Sequence, residues 1–224
     1  MPFARARFLE IALPAPDVGA SLDFYRRLGF TELDTNDIRR HHYATVTDGR
    51  VVIGLHGGGL EEPALVFVQR DLGRHVRDLV EAGVEPDFAR IAADEFNEAG
   101  FRTPDGHLLV MIEAGTYSTS GMAGAAKPLA GVVAEVILRG TDPTATGAWL
   151  AGAGLAAGRS GSGCYGTGPL ALAVEPGWPV PGPVLRLAGP MQRAALDARG
   201  ITPVRRSQGE VLMAPEGTWL IAAP

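Results

Sequence analysis

Phe8-Leu9-Glu10-Ile11-Ala12-Leu13-Pro14-Ala15-Pro16-Asp17, continued by Val18–Leu28 and closed by Gly29-Phe30, is the stretch that decides the fold. Leu9, Ile11 and Leu13 alternate with Phe8, Glu10 and Ala12, the period-two pattern of a strand with two faces. Asp17 is placed as a helix N-cap and Gly29 as the glycine that ends the helix, with Leu22, Tyr25 and Leu28 on one stripe between them. A second copy runs Val133-Ala134-Glu135-Val136-Ile137-Leu138-Arg139-Gly140-Thr141-Asp142, then a helical run to Ala153 and Gly154-Leu155. Glu10 and Glu135, Asp17 and Asp142, Phe24 and Trp149, and Gly29 and Gly154 match at one constant offset of 125. A duplicated strand–helix start marks an internal repeat, which the whole fold must accommodate.

Outward from the first copy, residues 31–38, 42–47 and 50–56 read as strands, the last two joined by the hairpin signal Asp48-Gly49. This is a β-α-β-β-β unit, and it recurs at once. Ala64–Gln69 is a strand, Asp71 a cap, and 72–82 a helix closed by Gly83. Strands follow around 84–90, 97–103 and Leu108–Glu113, the last pair turning at Pro104-Asp105-Gly106. After a small-residue linker the pattern restarts with Val132–Arg139 and a helix at 143–153. Shorter, glycine-rich strands run through 160–175, followed by a strand at 183–187 and a helix at 191–199 closed by Gly200. Two last strands meet at Pro215-Glu216-Gly217. That turn matches Pro104-Asp105-Gly106 at an offset of 111, so the second half is the shorter one. The expected fold is α+β, with four βαβββ units in two tandem halves: 1–115, a linker at 116–128, and 129–224.

Composition narrows the function classes. A formal net charge of −5 without a long basic run speaks against nucleic acid and anionic membranes as partners. A single cysteine, Cys164, cannot form an intramolecular disulfide, which suits a reducing compartment. Arg5 and Arg7 lead into a strand rather than the apolar core of a signal peptide, and no apolar run is long enough to span a bilayer. The expectation is a soluble cytoplasmic protein.

The order Glu10-Ile11-Ala12-Leu13, Asp17, Phe24-Tyr25 and Leu28-Gly29-Phe30, then Ala64 to Asp71, then Pro104-Asp105-Gly106-His107 before Leu109-Val110-Met111, resembles the vicinal oxygen chelate superfamily. That superfamily includes glyoxalase I, bleomycin-resistance proteins and extradiol dioxygenases. The resemblance covers nearly the whole chain. It implies curled sheets forming open cups, with helices outside and ligand inside. Metal-dependent members carry a ligand on each of four strands. The resemblance puts these positions at Glu10, Gly54, Ala64 and Val110 in the first half, and at Glu135, Ala173, roughly Gly182 and Ile221 in the second. One carboxylate per half is too few ligands for a divalent ion, and the adjacent His41 and His42 alternate across a strand. No metal and no cofactor are expected.

The same positions describe a mostly apolar cup. Tyr43, Gly54, Val66, Leu108, Val110 and Ile112 are candidate ligand-binding residues, with Glu175, Trp219 and Ile221 in the second half. His56, two residues after Gly54, points inward and has Glu175 as its counterpart. Trp149, Trp178, Trp219, Tyr43 and Tyr165 are available for stacking, although Trp149 and Trp219 are most simply core, Trp149 falling where Phe24 does. Glu10 and Glu135 are either solvated cleft residues, or paired with an arginine such as Arg102 or Arg186, or general bases; His56 is a polar wall residue, or an acid/base or ligand-orienting group. The leading expectation is therefore metal-independent binding of a hydrophobic or aromatic small molecule, in the manner of resistance proteins that sequester a drug. The alternatives are a metal-free lyase, isomerase or cyclase using Glu10 or Glu135, and a degenerate structural or regulatory module. Whether the chain is an enzyme stays open on sequence alone. Fusion of two halves allows a complete monomer and does not exclude a homodimer.

Overall fold

The computed structural model of the chain describes residues 3, 6–34, 41–92, 96–114, 122, 125, 127–157, 164–167, 170–180 and 182–222. Most of the stretch read as a linker therefore lies outside the described residues, as do residues 35–38 of the second expected strand.

The first half runs β1 (Arg7–Pro14), α1 (Val18–Leu28), β2 (Thr31–Leu33), β3 (Tyr43–Thr47), β4 (Val52–His56), β5 (Ala64–Gln69), α2 (Leu72–Glu81), β6 (Phe88–Arg90), β7 (Glu98–Arg102) and β8 (Leu108–Glu113). The second runs β9 (Val132–Arg139), α3 (Pro143–Gly152), β10 (Ala156–Ala157), β11 (Cys164–Thr167), β12 (Leu170–Glu175), β13 (Val184–Ala188), α4 (Arg193–Ala198), β14 (Val204–Arg206), β15 (Gly209–Met213) and β16 (Trp219–Ala222). Each half forms its own eight-stranded sheet, in the orders β2-β3-β4-β1-β5-β8-β7-β6 and β10-β11-β12-β9-β13-β16-β15-β14. The opening strand of each half lies at the centre, parallel to one neighbour (β4 or β12) and antiparallel to the other (β5 or β13). The two units of a half thus pair with each other, and each cup is built within one half.

Local chemistry sets the boundaries. Asp17 Oδ1 accepts from Ala20 N at 2.9 Å, and Asp142 Oδ1 accepts from Ala145 N at 3.0 Å, so both first helices are capped as expected. Gly29 takes φ 94°, which lets its N–H reach Arg26 O while Phe30 N reaches Tyr25 O, a left-handed termination only glycine makes without strain. Asp71 departs from the expectation. It precedes α2 but sits at φ 54° and makes no side-chain cap.

One strand reading needs correcting. Strict alternation puts Leu9 with Ile11 and Leu13, but the β1–β5 register shifts between Phe8 and Glu10. Leu9 is the extra residue of a β-bulge. Phe8 therefore joins Ile11 and Leu13 in the large core, edge-to-face with Phe67, while Leu9 packs on the cup side. The second half repeats the device. The β13–β9 register shifts where Val133 faces Leu187 and Glu135 faces Arg186, so Ala134 is the extra residue.

The large core lies on the side of the sheets away from the cups and runs continuously through both halves, from Tyr25, Phe67, Phe101, Leu109 and Met111 to Val136, Leu150 and Leu220. Each of these large side chains contributes about 1.5–3 kcal/mol on burial. Trp149 packs against this core, at the place of Phe24.

Polar contacts between the halves come in a related pair. The turn before β8 offers Asp105, which accepts from Thr141 N (2.8 Å), Thr141 Oγ1 (2.7 Å) and Thr146 Oγ1 (2.5 Å) at the start of α3. The turn before β16 offers Glu216, which accepts from Ser21 Oγ (2.7 Å) and Tyr25 Oη (2.8 Å) on α1. Ser21 and Thr146 are counterparts, as are Asp105 and Glu216. Asp48, buried in the β3–β4 hairpin, also accepts from Val133 N at the start of β9.

Candidate functional site

The first cup brings together residues from three segments. Glu10 comes from the middle of β1 and His56 from the end of β4, where it faces Pro14 across the parallel pair and Tyr43 across the antiparallel one. Tyr43 opens β3, and His41 lies two residues before it. Glu10 is 2% exposed. Its carboxylate lies flat over Gly54, where a Cβ would stand 2.7 Å from Glu10 Cδ. The glycine at this wall position therefore makes room for the acid.

Tyr43 Oη donates to Glu10 Oε2 at 2.6 Å, His56 Nε2 lies 3.2 Å from Glu10 Oε1, and His41 Nε2 lies 3.3 Å from His56 Nδ1. The directions follow from the acid. With the carboxylate as acceptor, the hydrogen of the His56–Glu10 contact sits on His56 Nε2. With the ring neutral, His56 Nδ1 accepts and His41 donates from Nε2. The result is one polarised chain, His41 to His56 to Glu10, with Tyr43 as a second donor at its end. The rings of Tyr43 and His56 are 4.7 Å apart.

Around this polar wall the cup is apolar. Ala12, Ala64, Val66, Leu108 and Val110 form its buried floor, with Leu9, Leu60, Phe88 and Ile112 packed against them. Phe88 reaches in because Gly100 opposite has no side chain to stop it. The cleft measures about 660 Å³. Charged groups ring its mouth. Arg102 bonds Glu62 and Asp87, and its guanidinium is held still more firmly protonated than usual, chiefly by the Glu62 hydrogen bond. Arg90 pairs with Glu98 above the Phe88 ring.

Glu10, His56, Tyr43, Gly54, Val66, Leu108, Val110 and Ile112 all meet in this cup. Arg102, a candidate partner for Glu10, is engaged at the rim instead. His41 is the residue sequence reasoning set aside. It precedes β3, so strand alternation does not govern it, and its ring lies against Gly58 and Gly59. The signal for it was that glycine run, whose missing side chains leave space for an imidazole.

The second cup is arranged differently. Arg186 on β13 forms an ion pair through Nη1 with Glu135 and bonds Glu175 Oε1 through Nη2 at 2.8 Å, and Trp178 Nε1 donates to Glu175 Oε2 at 3.1 Å. Burial works against the Arg186 charge, but the hydrogen bond and charge of Glu175, with Glu135 beside it, outweigh this and hold the guanidinium protonated. Ile137, Ala173, Trp178, Val184, Val211, Trp219 and Ile221 pack together in the same cup. Glu175, Trp219 and Ile221 therefore sit apart from Glu10, among side chains of their own half. Trp178 is buried and bonded rather than poised for stacking. Cys164 and Tyr165 belong to β11, but their side chains lie outside the described residues.

Register also corrects one counterpart. Val184 faces Trp219 and Ile137 as Ala64 faces Leu108 and Ala12, so Val184, not Gly182, is the equivalent of Ala64. Two residues on, Arg186 is the equivalent of Val66.

The donor set at the four wall positions can be tested against a divalent ion. In the first cup Glu10 is joined by Gly54, Ala64 and Val110, which offer no side-chain ligand, so a single carboxylate is left at the four positions. In the second, a guanidinium already lies against Glu135. Among the described residues no group of three or more His, Cys, Asp or Glu side chains is placed to hold a metal ion. These residues do not fit the ion. Among them too, no helix is long and apolar enough to cross a membrane.

Comparison with known proteins places this geometry. Residues 7–111 match the family model described as Glyoxalase/Bleomycin resistance protein/Dioxygenase superfamily. Among solved structures, a catechol 2,3-dioxygenase is 14% identical with a TM-score of 0.62, over 96% of this chain and 86% of that one. An extradiol ring-cleaving dioxygenase from B. fuscum is 14% identical with a TM-score of 0.62, over 99% and 73%. The Mn(II)-bound glyoxalase from Novosphingobium aromaticivorans is 14% identical with a TM-score of 0.56, over 97% and 82%. At these identities the likeness is one of fold. No curated protein matches the sequence.

Proposed function

Since the first half of this chain belongs to the Glyoxalase/Bleomycin resistance protein/Dioxygenase superfamily and the second repeats its fold, we propose that it is a metal-independent small-molecule-binding member, holding a hydrophobic or aromatic ligand in the first cup. The observation that carries this reading is the wall itself. Positions suited to metal ligands are Gly, Ala and Val, and they form a floor of apolar side chains under a single buried carboxylate. Such a site favours a mostly apolar body with one oriented polar group. The second cup differs, because a guanidinium of its own half already lies against its buried glutamate. Titration calorimetry with a panel of fused-ring compounds tests it, alongside metal analysis of the purified protein. Saturable binding to metal-free protein, lost when Val66 is replaced by a large side chain, is expected. Stoichiometric Zn, Fe, Mn or Ni would overturn metal independence, and silence across the panel would overturn the binding role.

A second reading is favoured by one observation, the chain His41–His56–Glu10. A carboxylate that orients an imidazole, which orients another, can take up a proton and share the charge, as acid–base catalysis requires. In that case the protein is a metal-free lyase, isomerase or cyclase. Glu10→Gln distinguishes the two through turnover: a binder has none to lose and keeps its affinity for uncharged fused-ring compounds, whereas an enzyme loses turnover with that binding intact.

A further inference from the structure

We infer that the first cup selects a ligand whose apolar or aromatic body ends in a single cationic head, and that Glu10 is its counter-ion. This rests on the small-molecule reading above and names the class of molecule. The second half supplies the argument. There the position facing the buried glutamate holds Arg186, whose guanidinium lies between Glu135 and Glu175. Arg186 is thus a ligand covalently attached to its own site. In the first half the equivalent residue facing the glutamate is Val66. The acid is kept, the cation is absent, and the volume it would fill is open. His56 replaces Glu175 in the first cup, so one carboxylate faces the cavity floor rather than two, which matches one positive charge.

The remaining charges agree. The described residues lining the cleft include five carboxylates (Glu10, Glu61, Glu62, Asp87 and Glu98), two imidazoles (His41 and His56) and two guanidinium groups, Arg90 and Arg102, so carboxylates outnumber the other charged or titratable groups. Both guanidiniums are paired with rim carboxylates, and neither is bonded to Glu10. An anionic head entering an apolar cup would meet Glu10 without screening by water, whereas a cationic head would gain there. Tyr43 and His56 use one acceptor site on each Glu10 oxygen. A carboxylate has about four such sites, so an amidinium or ammonium can still donate to it. Phe88, with Arg90 stacked at 5.6 Å from its ring centre, already presents an aromatic surface next to positive charge.

Three isosteric probes test this by titration calorimetry at neutral pH and low salt: 2-naphthamidine, 2-naphthamide and 2-naphthoate. The amidine is expected to bind at least about tenfold more tightly than the amide, with the acid weakest, the margin of one charge-assisted contact. Glu10→Gln should erase the amidine's advantage and leave amide binding nearly unchanged. Amide binding equal to amidine in the wild type would overturn the charge assignment and leave the cup standing. No binding by any probe would overturn the cup and the assignment together. A ligand-free arm guards against poor folding of Glu10→Gln. Val66→Arg should be more stable than Val66→Gln, because it recreates the Glu135–Arg186 pair; the reverse order would overturn the inference.

Discussion

Val66 and Arg186 occupy the same place in the two halves of the molecule: Val66 faces Glu10 between β5 and β1, and Arg186 faces Glu135 between β13 and β9. One duplicated position has therefore gone two ways. In one half the acid is neutralised from within; in the other it is left against an open cleft and held in place by Tyr43 and His56.

Removing the internal cation should be costly. Arg186→Val leaves Glu135 and Glu175 side by side without their counter-charge. Breaking a buried pair by removing one partner costs about 3–5 kcal/mol. Arg186 and Glu175 keep 26% and 34% of their side chains exposed, so roughly 2 kcal/mol is expected after solvent screening. Urea denaturation reads this directly, and the double variant Arg186→Val with Glu135→Val should recover part of the loss.

Gly54 should not tolerate even a methyl group. Gly54→Ala drives a Cβ into the Glu10 carboxylate, and the acid can move only by giving up Tyr43 or His56. A loss of about 1–3 kcal/mol is expected from such overpacking, accompanied by loss of whatever ligand the first cup takes. Ala173→Gly, at the matching place in the second half, should weaken the protein by no more than about 1 kcal/mol.

The donor order in the cup has a spectroscopic signature. At about pH 8, above the ordinary histidine range, long-range nitrogen–proton NMR should find both His41 and His56 with hydrogen on Nε2. Glu10→Gln should disturb the His56 pattern, and His41→Ala should leave it intact. Observation of His56 with hydrogen on Nδ1 would refute the proposed direction of the His41–His56–Glu10 chain.

The inter-half contacts should shape stability at both ends of the pH scale. Burial alone would raise the Asp105 carboxyl, but hydrogen bonds from Thr141 and Thr146 overcome it and lower it from 3.8 to about 2. A depressed folded-state value gives stability that is present above the unfolded value and lost as pH falls. Stability should therefore decline between about pH 4 and 2, and Asp105→Asn should flatten that decline. Tyr25 is the opposite case. Burial first, and the Glu216 charge second, push its phenol well above 10.0. A raised folded-state value gives stability that is present below the unfolded value and lost above it. Denaturation midpoints should fall as pH rises past about 10, and Tyr25→Phe should remove that slope.

Much of this was legible in the sequence, and the parts that were not have physical reasons. Helix ends carried by Asp17, Gly29, Asp142 and Gly200, and turns carried by Asp48-Gly49 and Pro104-Asp105-Gly106, follow from local chemistry that tertiary contacts do not override. Glu10, His56 and Tyr43 lie together because β4 keeps a simple register with both β1 and β3, and strand alternation alone reads such a register. The bulge at Leu9 could not be seen, because an extra residue leaves the apolar pattern intact while reversing which face each side chain takes. Arg186 was named as a possible partner of Glu135, but its equivalence to Val66 needed the strand pairing, since the offset between halves drifts through their unequal loops. His41 was missed for a related reason: alternation was applied to a residue that the strand had not yet reached.

The paired contacts of Asp105 with α3 and Glu216 with α1 have a consequence for how the chain could be divided. Each turn reaches across to the other half's helix, and the two locks differ. Asp105 engages two threonines and a backbone N–H, whereas Glu216 engages a serine and a phenol. Such contacts are keyed rather than interchangeable. In effect the protein is a heterodimer on a tether. Cut within residues 116–128, its fragments should recombine as one of each kind in preference to two alike, so this scaffold has the makings of a split-protein reporter.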